Sequence, residues 1–372
     1  MRILVLSPVF PPYKGGMGAA AAQQVQLLRN AGHEVRVMTP HYAYHGIEDA
    51  PGITWVKPWF SLGNGAILPF GVLWRAIRAS DAVYLHYPFF GTAGVAAFFA
   101  RCAKKRLVVF LHMRAQAKKG AMVHRVLFAL HRFFEEPLVK HLAQALCVSS
   151  LGYGARFHIP KEKMHIVPFG VDTERFFSGK NTELRTQYGA DDTSCIFLFV
   201  GGMDRAHAFK GIPVLIHAFA HINAPDAWLW LVGEGNMRAA YEALAKNAGI
   251  VSRVLFLGSV PFAQLPEVYR AADAHVLPSV NDAEAYGLVT AEAGASGIPS
   301  IVSDLPGARS LVEHEHTGLH VAPGKSTVLT EALNTLATNH EQRLRWGVNA
   351  REKMLRDASM RAEQEALAKA FV

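Results

Sequence analysis

Short apolar runs alternate with helix-length amphipathic segments along nearly the whole chain, a pattern that builds parallel sheets joined by helical crossovers. In the first half the apolar runs predict strands at Ile3–Ser7, Val35–Thr39, Ala82–His86, Leu107–His112 and Ala145–Ser149. Gly18–Asn30 is rich in Ala, Gln and Leu and reads as a helix, with Gly32 placed where a helix stop belongs. The second half repeats the scheme. Strands are predicted at Ile196–Gly201, Trp228–Val232, Val254–Leu257, Ala274–Leu277, Ser300–Val302 and Gly318–Val321. Helices are predicted at Gly211–His221, Met237–Ala248, Gln264–Ala272 and Gly287–Ser296. Between the halves, Pro160–Lys163 and Pro168–Phe177 change character, with Pro, Gly and a charged turn, so a boundary falls near residue 172. A charged helical tail runs from Glu341 to about Ala370.

Length and composition sharpen this picture. At 372 residues the chain has room for two α/β domains, each burying its own core, and 51% apolar content excludes a disordered protein. Cys102, Cys147 and Cys195 are odd in number, far apart and without metal-type spacing, which reads as reduced, buried thiols in a cytoplasmic chain. The opening Arg2–Ser7 run is short and followed by Pro8, Pro11 and Pro12, as suits a buried first strand rather than a signal peptide. No apolar stretch reaches the ~18 residues of a membrane span.

Charge is uneven. Residues 1–170 hold 20 Lys/Arg against 7 Asp/Glu, whereas the remainder is acidic. Lys104, Lys105, Arg106, Lys118, Lys119, Arg125 and Arg132 lie close in sequence to Phe128, Phe133 and Phe134. Two readings are open: peripheral docking on the anionic inner face of a membrane, or a solvated basic face that attracts an anionic substrate. No nucleic-acid-binding module accompanies the charge.

The most informative stretch is Glu284-Ala285-Tyr286-Gly287-Leu288-Val289-Thr290-Ala291-Glu292. A helix starting near Gly287 aims free N–H groups and partial positive charge at what precedes it, which suits a phosphate. Glu292 then sits roughly 7–8 Å along the axis, at ~1.5 Å per residue, while Glu284 stays in the loop. The two carboxylates can meet hydroxyls on opposite sides of the phosphates, matching a nucleoside diphosphate sugar. Arg205 and Lys210 follow a predicted strand in the loop before Gly211, where fixed cations would stabilise a diphosphate leaving group. No Asp-x-Asp pair occurs in the chain, so no metal is expected and the cation pair takes its place. Gly15, Gly16 and Gly18 lie between strand and helix, where bare Cα atoms admit a ligand to the backbone. They do not spell the dinucleotide fingerprint, and Val37-Met38-Thr39 lacks the acid expected for an NAD ribose.

These residues resemble the two-glutamate signature (Glu, seven residues, Glu) of retaining GT-B glycosyltransferases, specifically glycosyltransferase family 4. The resemblance runs through Pro168-Phe169-Gly170-Val171-Asp172, Gly202-Met203-Asp204-Arg205, Phe209-Lys210-Gly211, Val232-Gly233-Glu234-Gly235 and Leu305-Pro306-Gly307. It implies an α/β GT-B fold: two Rossmann-like domains facing an interdomain cleft. Residues 1–172 would bind the acceptor, residues 173–354 the donor, and a C-terminal helix over 355–372 would cross back onto the first domain. It implies that Glu284 contacts the donor sugar, Glu292 the ribose, and Arg205 and Lys210 the diphosphate. His112, ending a predicted strand, would reach the donor sugar near its reacting carbon. His86 is left as a structural residue. Gly15 and Gly16, Gly233 and Gly235, Val260 and the run Tyr286-Gly287-Leu288-Val289 complete the expected donor contacts.

The expectation is a metal-independent, retaining transfer of a hexose from a UDP- or GDP-linked donor to a glycan or lipid-linked acceptor, by front-face displacement. A GT-B nucleotide-sugar epimerase and a non-catalytic nucleotide-sugar-binding subunit are the alternatives.

Overall fold

The computed structural model describes residues 1–13, 16–42, 51–62, 65–112 and 131–372. The chain divides into two compact units, Met1–Pro168 with Glu363–Val372, and Phe169–Ala362. The returning segment is thus shorter than residues 355–372.

The first unit is built on a seven-stranded parallel sheet in the order β3-β2-β1-β6-β7-β8-β9. Its strands are β1 Arg2–Leu6, β2 Glu34–Pro40, β3 Ile53–Val56, β6 Ala82–Tyr87, β7 Arg106–Leu111, β8 Ala145–Val148 and β9 Met164–Ile166. A small antiparallel pair, β4 Phe60–Leu62 and β5 Gly65–Ile67, stands apart. The central strands are buried along their length, as expected where helices cover both faces of a parallel sheet. The chain steps from β1 to β2 in one direction and from β6 to β7 in the other. Right-handed crossovers therefore place the helices Gly16–Asn30 and Ala93–Cys102 on opposite faces. The helix Met360–Ala370 joins the face of Gly16–Asn30. There Glu363, fully buried, accepts from Gln23 Nε2 (2.6 Å) and Gln24 Nε2 (2.8 Å), while Tyr84 donates its hydroxyl to Gln24 (2.6 Å).

The second unit carries a six-stranded parallel sheet, β12-β11-β10-β13-β14-β15. These strands are β10 Ile196–Val200, β11 Trp228–Val232, β12 Val254–Gly258, β13 Ala274–Leu277, β14 Ser300–Ser303 and β15 Gly318–Val321. Phe197, Phe199, Leu229, Leu231, Val276 and Ile301 form its dry centre. Arg185 is also buried in this unit, without an unmet charge. Its guanidinium donates to Asp273 and to the carbonyls of Asp191, Ser194 and Ala271.

Two expectations are corrected. The tail is two helices, His340–Asp357 and Met360–Ala370, rather than one. The break is tertiary: Val171 N–H donates to Ala358 and Met360 N–H to Val171, and a Cβ on Gly170 would lie 2.8 Å from Met360 Cα. Cys102 is exposed, while Cys147 and Cys195 are buried thiols.

Candidate functional site

Lys210 and Glu284 meet in the second unit, Nζ to Oε2 at 3.1 Å, with both side chains largely out of water. They come from loops after β10 and β13, and glycine backbone makes the approach feasible. Gly211 (φ 78°) lies so close to the Pro278 carbonyl that a Cβ would stand 2.1 Å from its oxygen. A Cβ on Gly201 would likewise fall 2.8 Å from Lys210 Cδ. Val280 N–H donates to Phe209 O (2.7 Å) and pins one loop to the other. Gly307, from the Leu-Pro-Gly run, packs bare against the carbonyls of Glu284 and Ala285. Ser279 Oγ adds a hydrogen bond to Glu284 Oε2 at 3.3 Å.

Immediately beyond, the helix Leu288–Ala295 starts after Gly287, whose φ of 89° a side chain would strain, and no side chain caps it. Its first N–H groups and positive dipole end therefore lie beside the Glu284 loop. Glu292 projects from the third helical position after Val289 and accepts from Tyr269 Oη at 2.8 Å. Desolvation drives its carboxyl from an ordinary 4.5 up to about 7, against the opposing pull of the Tyr269 hydrogen bond and the Lys210 charge. The same charge reaches His275, whose imidazole burial holds down to about 3. Lys210, Glu284, Glu292, Tyr269 and His275 thus form one electrostatically coupled group.

Arg205 opens the short 3-10 turn Arg205–Lys210, N-capped by Asp204. Its guanidinium is exposed and makes no hydrogen bond among the described residues, while its N–H donates to Asn236 Oδ1 at 3.2 Å. Asp204 pairs with its loop neighbour His207 (2.8 Å).

Other expected residues fall differently. Gly233 and Gly235 are explained by backbone packing: Cβ atoms there would lie 1.9 Å from Gly201 O and 2.2 Å from Met203 C. Glu234 pairs with Arg238, which also holds Glu242 (2.8 Å). The Tyr286 ring is buried edge-on against Phe169. Leu288 is partly exposed at the helix start, and Val260 is half-buried after β12. Just past the Leu305-Pro306-Gly307 run, Arg309 is held by Asp304 (3.0 Å).

In the first unit, Gly16 begins its helix with open space where a Cβ would stand. Gly15 lies outside the described residues. His112, at the end of β7, is not a lone imidazole. Its Nε2 lies 2.7 Å from His86 Nδ1 on the adjacent strand, with the rings stacked. Burial lowers both pKa values, that of His86 to about 3, so the pair is neutral. His86 is fully buried, and its Nε2 has no hydrogen-bond partner among the described residues. Sequence reasoning missed this partnership because it depends on β6–β7 register; it missed Tyr269 because its helix gives no hint of the neighbouring Glu292.

Among the described residues no cluster of His, Cys, Asp or Glu is arranged to hold a metal ion, and no helix is long and apolar enough to cross a membrane.

Comparison with known proteins agrees with this architecture. The family described as glycosyl transferases group 1 matches residues 180–353, and glycosyltransferase family 4 matches residues 14–175. The chain belongs to these family 4, group 1 glycosyltransferases. It is 27% identical over 352 residues to an uncharacterized glycosyltransferase of Methanocaldococcus jannaschii, covering 87% of this chain and 85% of that one. It is 31% identical over 289 residues to a D-inositol 3-phosphate glycosyltransferase of Xylanimonas cellulosilytica, covering 73% of this chain and 67% of that one. A phosphatidyl-myo-inositol mannosyltransferase of Mycobacterium leprae is 24% identical, covering 98% of this chain and 95% of that one. Anabaena Alr3699/HepE, crystallised with UDP, superposes with a TM-score of 0.79 at 20% identity, covering 100% of this chain and 99% of that one. That likeness establishes the GT-B fold.

Proposed function

We propose that this glycosyltransferase moves a hexose from a nucleoside diphosphate sugar, UDP- or GDP-linked, to an acceptor hydroxyl in polysaccharide or glycolipid assembly, with retention and without a metal. The observation that carries the reading is the buried Lys210–Glu284 pair beside an uncapped helix start, with Glu292 on the flank of that helix. A diphosphate placed at the helix start draws on Lys210, the first N–H groups of the helix and the exposed Arg205 guanidinium. Glu284 holds Lys210 in place before the donor arrives and turns its remaining oxygen to sugar hydroxyls. Glu292 takes the ribose hydroxyls, with Tyr269 fixing its orientation. Backbone atoms of Gly233, Gly235 and Val260 border the base, and Gly15, Gly16 and His112 serve the donor and acceptor from the first unit.

Bond breaking then releases a diphosphate whose growing charge meets fixed cations. Its oxygen accepts the acceptor's proton on the same face, so neither glutamate acts as a covalent nucleophile. The names of two sequence relatives, an inositol-phosphate glycosyltransferase and a phosphatidylinositol mannosyltransferase, support glycosyl transfer onto a polyol.

A panel of nucleotide sugars with the purified chain tests this. Thermal stabilisation by one donor, followed by product formation that needs an added acceptor, is the expected result. Turnover of donor alone into an epimer replaces the reading with the epimerase. Donor binding with neither transfer nor hydrolysis, across polyol and glycan acceptors, replaces it with a non-catalytic subunit.

A further inference from the structure

The first unit exposes a run of large apolar side chains that the proposed reaction does not use. The Trp59 ring lies 4.9 Å from Phe70, which opens the helix Phe70–Ala79. Phe70 and Trp74 both stack edge-on against Phe99, at 6.2 and 5.2 Å, and Phe98 stands beside it on the helix Ala93–Cys102. The start of that helix is tied to the turn His131–Glu135 by Gly94 N–H donating to Glu135 (2.9 Å). Phe133 and Phe134 project from this turn at 71% and 70% exposure; Trp59, Phe60 and Phe98 each exceed half. Scattered exposed side chains need no explanation, but the ring-to-ring run from Trp59 through Phe98, with Phe133 and Phe134 exposed on the turn tied to the same helix, does.

Cations lie on or just beyond the same elements. Arg75, Arg78, Arg101, Lys104 and Arg132 are exposed, and none meets a carboxylate among the described residues. Arg78 lies over the Trp74 ring (5.9 Å). Residues 51–134 contain twelve Lys/Arg and a single acid, Asp81, which is engaged by Arg2. The helix Phe70–Ala79 has no acidic residue and buries Leu73 and Ile77 beneath its exposed Arg75 and Arg78.

We infer that this face docks on the headgroup region of an anionic lipid bilayer, with the aromatic rings entering the boundary layer and the arginines meeting phosphates. Charge complementarity selects this occupant: a protein partner of ordinary composition would leave the cations unmet, whereas anionic headgroups meet each one. The aromatic part of the face, from Trp59 through Phe98, extends well beyond the Lys104–Arg132 cluster that the sequence singled out. Lys118, Lys119, Arg125 and Phe128 of that cluster lie outside the described residues.

Cosedimentation of the full chain with vesicles tests it, using phosphatidylcholine alone and phosphatidylcholine mixed with phosphatidylglycerol. Binding to the mixed vesicles, weakened by salt, is expected. Arg75→Ala with Arg78→Ala should lower the partition about 25-fold, on the order of fivefold per cation, and Phe133→Ser with Phe134→Ser about tenfold. Both variants should keep wild-type melting temperatures and donor turnover, because these residues lie outside the proposed reaction site. That separates failure of docking from failure of the reaction. Three results would each overturn the inference: no binding by the wild type, variants that bind as well as it does, or a wild-type dimer that these substitutions dissolve. The last would assign the face to a second copy of the chain.

Discussion

Arg185, Arg238, Lys353 and Lys210 of the second unit each end on a carboxylate, whereas five exposed cations of the first unit meet none among the described residues. Both units wind a parallel sheet with helical crossovers, so the difference is not one of architecture. The second unit pairs these four cations, two of them in buried contacts at Arg185 and Lys210 and two against more exposed carboxylates at Arg238 and Lys353, and leaves Arg205 exposed beside its polar cluster. The first leaves charge uncompensated at its surface, available to something outside. Net charge alone reports the imbalance between the halves; only the pairing shows which cations are committed and which are free to act.

The largest test of this contrast is Lys210→Ala. Removing the cation of the buried pair should lower turnover by on the order of 10²–10³ and leave Glu284 without its counter-ion. Near-normal turnover at saturating donor and acceptor would reduce the pair to a structural one. Next comes Gly211→Ala, which combines a φ of 78° with a Cβ placed 2.1 Å from the Pro278 carbonyl oxygen. A loss of about 3 kcal/mol in urea unfolding is expected, with activity falling as the Lys210 loop moves off Glu284. An unchanged midpoint would show that the two loops approach by some other means.

Glu292 gives a smaller effect with a definite sign. Because its carboxyl is raised from 4.5 to about 7, the folded state holds the proton more tightly than the unfolded chain. The stability this contributes is present below about pH 4.5 and disappears as pH rises through about 7. Glu292→Gln should flatten that part of the stability–pH curve, by at most about 3 kcal/mol, while weakening nucleotide binding. Parallel curves for the two proteins, from urea midpoints taken across this range without nucleotide, would overturn the desolvation account. Smallest is Arg238→Ala: its partners are surface carboxylates, so a change of at most about 1 kcal/mol is expected.

Much of the second unit was legible because its strands are continuous apolar runs bounded by Gly, Asp or Pro. Trp228–Val232, Ala274–Leu277 and Gly318–Val321 fall where the pattern puts them. In the first unit the short strands Ile53–Val56, Phe60–Leu62 and Gly65–Ile67 and the helix Phe70–Ala79 were not legible. They are brief, and aromatic residues interrupt their periodicity. The Glu284 loop and the Gly287 helix start could be read because glycine and acid positions report local backbone needs. The His86–His112 contact, the Tyr269–Glu292 bond and the break at Ala358–Ser359 could not, since each is made by segments distant in sequence. Gly233 and Gly235 show that a bare Cα signals close approach without naming the neighbour: the protein's own backbone accounts for both glycines, and contact with a donor base is a separate proposal.

The burial of Glu363, Leu367, Ala370 and Phe371 in the first unit has a bearing on biosynthesis. The domain translated first borrows its last covering segment, Glu363–Val372, from polypeptide made only after the whole of Phe169–Ala362. Until that segment arrives, Gln24 and Tyr84 lack their acidic partner and neighbouring aromatic ring. The domain translated second can therefore finish assembling while the first is still open.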